Sequence, residues 1–311
     1  MFNIDKYLEL INCPLCRSSN FDVKKKSNYS NIKNINDLLS IYKSSADELM
    51  LDQLVSCRDC DLQYLNPRIK SDIILKSYSE NTDEQHLSQD KMRYKTFFQS
   101  MKKIFKKIKF SNVNNNNNKF LDIGSASGVF LKVIKDMNFI ETGFEPSNWM
   151  VNYGKKKYKV NISQGLIENV ESDKYDFISF WDVLEHVTNL NETLAKINKL
   201  SKKNTYLIIN VPDIDSFSCK IMKNHWPFYL NVHLYYFKKK TLEKALKPFN
   251  FELVDKFPHW QYLELGYLLS RASKYFNSFS LIKNLINYLG FSKIIVPYNM
   301  GQTTFIFKKN D

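Results

Sequence analysis

From Lys119 onward, short apolar runs alternate with segments of helical periodicity, and this alternation constrains the fold more than any other feature of the chain. The strand candidates are Phe120 to Ile123, Glu141 to Phe144, Val160 to Ser163, Phe177 to Trp181, Thr205 to Val211, Phe251 to Phe257 and Thr303 to Phe307. Helical patterns lie between most of them. The order predicts an α/β protein: a doubly wound parallel sheet with helices on both faces, binding its ligand beyond the carboxyl ends of the strands. Gln261 to Leu289 reads as an added helical segment rich in aromatics, suited to a lid, a pocket wall or a subunit interface through which the chain would oligomerise.

The 311 residues suffice for one large domain and a smaller module. A net charge of +13 suggests an anionic partner, nucleic acid or membrane. The lysines are scattered, however, with runs at Lys24 to Lys26, Lys102 to Lys109, Lys155 to Lys157 and Lys238 to Lys240. Solvated surface charge is the simpler reading. No apolar run approaches the roughly 18 residues of a membrane span. The opening MFNIDKYLEL lacks the pattern of a secretory signal, so a soluble, cytoplasmic protein is expected.

Four of the five cysteines fall within residues 1–66, as Cys13-Pro-Leu-Cys16 and Cys57-Arg-Asp-Cys60. Two such knuckles make a tetrahedral thiolate cage, the donor set of structural zinc. The gap between the pairs is roughly twice the usual ribbon spacing, and doubling a loop costs only about 0.6 kcal/mol. Structural zinc contributes about 10 to 16 kcal/mol. Disulfides are the weaker reading in a cytosolic chain, and four unrelated thiols the blandest one. Cys219, standing alone, reads as a buried core thiol.

Residues 1–68 thus form a zinc-ribbon module, and 69–118 a helical, basic connector. Within Lys91 to Phe110, Phe97, Met101, Ile104, Phe105 and Ile108 recur at three- and four-residue intervals. Such a stripe packs on its own domain more often than on a membrane surface. The polar joint Asn114 to Asn118 marks the boundary, leaving 119–311 as the α/β domain, with a helical insertion at about 259–295.

The chemistry is concentrated at strand ends. Leu121-Asp122-Ile123 opens into Gly124-Ser125-Ala126-Ser127-Gly128, where small residues let the backbone approach a ligand. A dinucleotide site wants glycine at 124, 126 and 129, and this chain has Gly, Ala and Val, which argues against NAD or FAD. The next strand ends at Glu145, 21 residues after Gly124, where a carboxylate can accept both hydroxyls of a ribose.

The spacing resembles the class I S-adenosylmethionine-dependent methyltransferases, whose first motif, acidic-x-Gly-x-Gly-x-Gly, is matched by Asp122, Gly124, Ala126 and Gly128 with one glycine replaced. The resemblance implies a Rossmann-like seven-stranded sheet and S-adenosyl-L-methionine as cofactor. It also implies that Leu166 and Ile167, in Gln164 to Glu168, flank the adenine. The run Trp181-Asp182-Val183-Leu184-Glu185-His186-Val187 is similar to small-molecule methyltransferases. By that likeness Trp181 and Asp182 lie near the cofactor, and Glu185-His186 begin the following helix. His186 is then a base or a structural histidine.

Further along, His233-Leu234-Tyr235-Tyr236-Phe237, followed by Thr241-Leu242, resembles methyltransferases of small metabolites and nucleotide-linked sugars. There the histidine matching His233 has been proposed as base. Val232 stands where sugar C-methyltransferases carry a glutamate, which argues against C-methylation. Cys57 to Arg68 looks like the end of the zinc ribbon that precedes methyltransferase domains in bacterial polysaccharide gene sets. The expected acceptor is a small molecule, a sugar or nucleotide sugar. An RNA methyltransferase is the alternative, motivated by the basic charge, although no aromatic-basic stacking motif for single strands is present. A non-catalytic scaffold retaining the fold is the third reading, and the intact Asp122, Glu145 and Asp182 argue against it.

Overall fold

Side chains of a strand alternate between faces, so a strand apolar on both must lie between two layers. Phe120 and Phe177 pack on one side, and Leu121, Ile123, Ile178 and Phe180 on the other. In the computed structural model, which describes residues 3–42, 50–74, 87–110, 117–171, 173–273 and 278–310, these strands are the centre of a single sheet.

The N-terminal part contributes β1 (Leu8–Glu9), β2 (Phe21–Lys25), β3 (Leu54–Cys57), β4 (Gln63–Leu65) and β5 (Arg68–Ile69). Then follow β6 (Lys119–Ile123), β7 (Ile140–Glu145), β8 (Ile162–Gln164), β9 (Tyr175–Trp181), β10 (Ser201–Pro212), β11 (Tyr235–Tyr236), β12 (Phe251–Pro258), β13 (Gln261–Glu264), β14 (Ile295–Tyr298) and β15 (Gln302–Lys309). The seven-stranded sheet has the order β12-β15-β10-β9-β6-β7-β8. All seven sequence candidates lie in it. The expected parallel sheet is corrected at one place: β15 runs antiparallel to both β10 and β12. The chain comes back to the sheet from β14 through a few residues rather than a crossover helix, and a strand so joined can enter reversed.

The basic helix Asp90–Lys107 lies on this sheet. Met101, Ile104 and Phe105 are buried against Phe120, Phe130, Ile134, Phe177 and Ile208, which accounts for its apolar stripe. The opposite face is covered by helices Leu190–Leu200 and Lys239–Leu246. The joint expected at Asn114 to Asn118 lies partly outside the described residues. Two further expectations change. The segment from Gln261 opens with β13, paired to β14, before the helices Leu265–Ala272 and Ser278–Tyr288. Of β14 and β15, only β15 joins the main sheet, between β12 and β10. Glu185-His186 sit on a short 3-10 turn, Leu184–His186, and the helix begins only at Leu190, after the Asn189 side chain has capped it.

A second sheet has the order β11-β4-β3-β2, so its edge strand comes from the HLYYF run, far along the chain from the cysteine pairs. Leu65 N–H donates to Leu234 O at 3.0 Å, and Leu51 N–H to the Asn231 side chain at 2.6 Å. The apolar residues of the cysteine-bearing sheet and those under the main sheet form one continuous cluster. Among the described residues no helix is long and apolar enough to cross a membrane.

Candidate active site

β6 and β9 are neighbours whose outgoing connections lead to opposite sides of the sheet, and a crevice opens beyond their carboxyl ends. The turn leaving β6 has positive φ at Gly124 (72°), Ala126 (44°) and Gly128 (78°). At Gly124 there is also no room: an added Cβ would lie 2.4 Å from Val183 Cγ2. Gly124 N–H and Ser125 N–H both donate to Phe144 O, at 2.8 and 3.1 Å, tying the turn to the end of β7.

Glu145 completes that tie. Its Oε2 accepts from Ala126 N–H and its Oε1 from Ser147 N–H, each at 2.9 Å. Every carboxylate oxygen has two lone-pair sites, so each retains one for a ligand hydroxyl. Burial raises the Glu145 pKa, and the two backbone donors oppose the rise.

A cavity of about 630 Å³ opens here, lined by Gly124, Ala126, Glu145, Leu166, Ile167, Trp181, Asp182 and His186 among others. Asp122 and Gly128 stand back from it. Asp122 is buried, accepts from Ser179 Oγ at 2.6 Å, and lines only an adjoining recess of about 70 Å³ with Arg93, Gly124, Trp181 and Asp182. Burial pushes its carboxyl up to about 7. Gly128 caps the helix Val129–Asp136, its Cα side facing Gly154 and Val160. Asp182, also at positive φ (56°), accepts from the amides of Asn210 (2.8 Å) and Gln302 (2.6 Å). Burial pushes it up to about 6, opposed by those amides and by the charge of Arg93.

Several lining residues escaped the sequence reading, including Arg93, Asn189, Glu192 and Thr193. Arg93 had a signal: it lies four residues before Phe97 on the apolar stripe, where a solvated cation is out of place. Its Nε and Trp181 Nε1 are buried donors without a hydrogen-bond partner among the described residues, and both residues line the crevice. Buried donors are nearly always satisfied, and at the crevice these two are placed to meet polar atoms of a ligand.

The two candidate histidines meet edge to face, ring centroids 4.7 Å apart. His186 reaches the cavity and His233, 5% exposed, stands behind it. Each ring Nδ1 lies 2.8 Å from a carbonyl oxygen, His186 from Val232 O and His233 from Phe228 O. A carbonyl only accepts, so Nδ1 carries the proton and Nε2 the lone pair in both neutral rings. Burial lowers His186 to about 4 and His233 well below its usual value. Glu185, 1% exposed, has no hydrogen-bond partner for either carboxylate oxygen among the described residues.

Away from the crevice, Cys13, Cys16, Cys57 and Cys60 converge, with all four Sγ atoms within 4.8 Å of one another. Cys13 to Cys60 and Cys16 to Cys57 are each 3.4 Å, far beyond the roughly 2.0 Å of a disulfide. Thiolates about 2.3 Å from a tetrahedral ion stand about 3.8 Å apart, so the cage fits zinc with small adjustments.

The seven-stranded sheet with its glycine turn, ribose-spaced acid and crevice defines a class I S-adenosylmethionine-dependent methyltransferase. A family model described as a methyltransferase domain matches residues 93–256, more than half of the chain, and the chain belongs to that family. The match begins within the helix Asp90–Lys107, at Arg93. Among solved structures, a chain of the Haloferax volcanii complex between a methyltransferase activator and a methyltransferase is similar at 12% identity and a TM-score of 0.50, covering 75% of this chain and 100% of that one. S-adenosylmethionine-dependent methyltransferases from Archaeoglobus fulgidus and Thermotoga maritima align at 19% and 18% identity, each with a TM-score of 0.47 and 73% of this chain covered. Those alignments cover 100% and 94% of the respective relatives. No curated protein matches.

Proposed function

We propose that this methyltransferase acts on a small hydroxyl-rich acceptor, a sugar or nucleotide sugar, with residues 1–68 as a zinc-ribbon module, 69–118 as connector and 119–311 as catalytic domain. One observation carries the reading. The cofactor turn, Glu145, Leu166 and Ile167 share a single cavity with His186, Asn189, Glu192 and Thr193, whose polar side chains suit an acceptor bearing several hydroxyls.

The cofactor fits the residues present. Glu145 has lone pairs for the ribose hydroxyls, Leu166 and Ile167 offer an apolar wall for the adenine, and Arg93 a cation for the carboxylate. Bound there, S-adenosyl-L-methionine supplies an electrophilic methyl group. The chain's own residues align the acceptor with it and remove the acceptor's proton. His186, kept neutral by burial and lining the cavity, takes that proton, and His233 holds it in place from behind. Zinc is held by Cys13, Cys16, Cys57 and Cys60, where it closes the ribbon.

The test is incubation of the protein with labelled cofactor and a panel of nucleotide sugars and RNA, followed by mass spectrometry of the products. A methylated sugar supports the reading. Label found in RNA and in no sugar would sink it.

A further inference from the structure

Glu185, His186 and His233 each offer a ligand atom, and those atoms lie within 4.8 Å of one another. The three are held together by main-chain contacts: Leu234 N–H donates to Glu185 O at 2.8 Å, and His186 Nδ1 to Val232 O. The loop carrying His233 is thereby fastened onto the turn carrying the other two. In both rings the Nδ1 proton goes to a carbonyl, which places the lone pair on Nε2. That is the arrangement that orients histidines binding metals.

Glu185 is the least comfortable member. Its carboxyl group is buried at 1% exposure, and neither oxygen has a hydrogen-bond partner among the described residues. Only its own amide favours the charged form, and burying a carboxyl group so poorly compensated is among the more expensive things a fold can do. A divalent cation answers the carboxylate and both imidazoles at once. Two imidazoles and one carboxylate form a donor set for first-row transition metals, with sites left open for exogenous oxygen.

We propose that Glu185, His186 and His233 bind a first-row divalent transition metal at the wall of the cavity, separate from the cysteine cage. Ligands about 2.1 Å from an ion in cis positions stand about 3 Å apart, so binding draws the three side chains inward. Because His186 lines the cavity, the ion's open positions face an acceptor oxygen, whose hydroxyl it would make more acidic. With the ion in place His186 would be a ligand rather than the base, and the proton of the metal-held hydroxyl would pass to water in the open cavity. This role rests on the proposed hydroxyl acceptor; the binding of the ion does not.

The test uses cobalt(II) as probe on the full chain after chelator treatment. A thiolate cage gives intense sulfur-to-cobalt charge-transfer absorption, and a site of nitrogen and oxygen donors only weak ligand-field bands. Two equivalents per chain are expected, one of each kind. Cys57→Ser should lose the charge-transfer equivalent and keep the other. Glu185→Gln and His233→Gln should bind the second equivalent at least about tenfold more weakly. Their retained charge-transfer equivalent shows that they are folded. A single equivalent in the unaltered protein, or a second equivalent undiminished in both variants, overturns the metal site. Either result leaves proton removal by His186, and the sugar acceptor, to be tested by product analysis.

Discussion

Glu145 does two jobs with one carboxylate. It ties the turn to the end of β7 and keeps one lone-pair site on each oxygen, which the proposed function gives to a ribose. Hydrogen bonds to a charged acceptor contribute about 1.5 to 3 kcal/mol each. Calorimetry should therefore find that Glu145→Ala weakens S-adenosylmethionine binding by about a hundredfold or more, while Asn189→Ala, assigned to the acceptor's part of the cavity, leaves it nearly unchanged. Arg93→Met tests the unexpected cation in the same assay, with weakening of about tenfold or more for loss of a charge-assisted contact. That an acid ends the second strand of the sheet's alternating run was legible from spacing alone. Arg93 was not recognised, because the lysines around it disguised a cation that lines the crevice.

At the scale of elements, the turn between β6 and its helix is built from backbone that side chains resist. Gly124 sits at φ 72° with Val183 against the place a Cβ would occupy. A left-handed conformation costs a residue with a Cβ about 1 to 2 kcal/mol, and the clash adds to it. Gly124→Ala should lower unfolding stability by at least that amount in urea titrations. Adding Val183→Ala should recover the contribution of the clash and leave that of the φ angle. Recovery of full stability would show that φ is not strained. The pair Glu185-His186 illustrates the limit of reading elements locally: Leu184–His186 is a tight turn, and the helix waits for the Asn189 cap. Capping residues announce a helix only when one of several nearby candidates is known to be the one used.

For the whole molecule, the cysteine-bearing sheet and the catalytic domain are joined by β11 and by one continuous apolar cluster. Removing the proposed zinc with a chelator should therefore lower the thermal midpoint of the entire protein in a single transition. A separate early transition for the ribbon, with the catalytic unfolding unmoved, would contradict this coupling. Asp52 lies near the same seam, fully buried, accepting from the hydroxyls of Tyr29 and Tyr42. Burial pushes it up to about 6, opposed by the two hydroxyls and by Lys25, against an ordinary value of 3.8. The folded state binds the extra proton between those values. The stability it brings is thus complete below about pH 4 and lost as pH rises through about 6, at most about 3 kcal/mol. Asp52→Asn should gain on the unaltered protein in thermal midpoint from pH 4 to pH 7; a constant difference would refute the assignment.

Sequence by itself determined the seven strands, the glycine turn, Glu145 and the two cysteine knuckles, since each is written in residues a few positions apart. Period, spacing and small side chains act locally, and they survive without knowledge of the rest of the chain. Tertiary structure alone decided that β15 runs backwards and that Tyr235–Tyr236 completes the cysteine-bearing sheet. It also decided that Arg93 reaches the crevice, and that His233 lies behind His186 with Glu185 buried beside them. Those arrangements join residues as much as 180 positions apart, as Leu51 and Asn231 are. Which distant segments meet is settled by packing the whole core at once, and no local pattern records it.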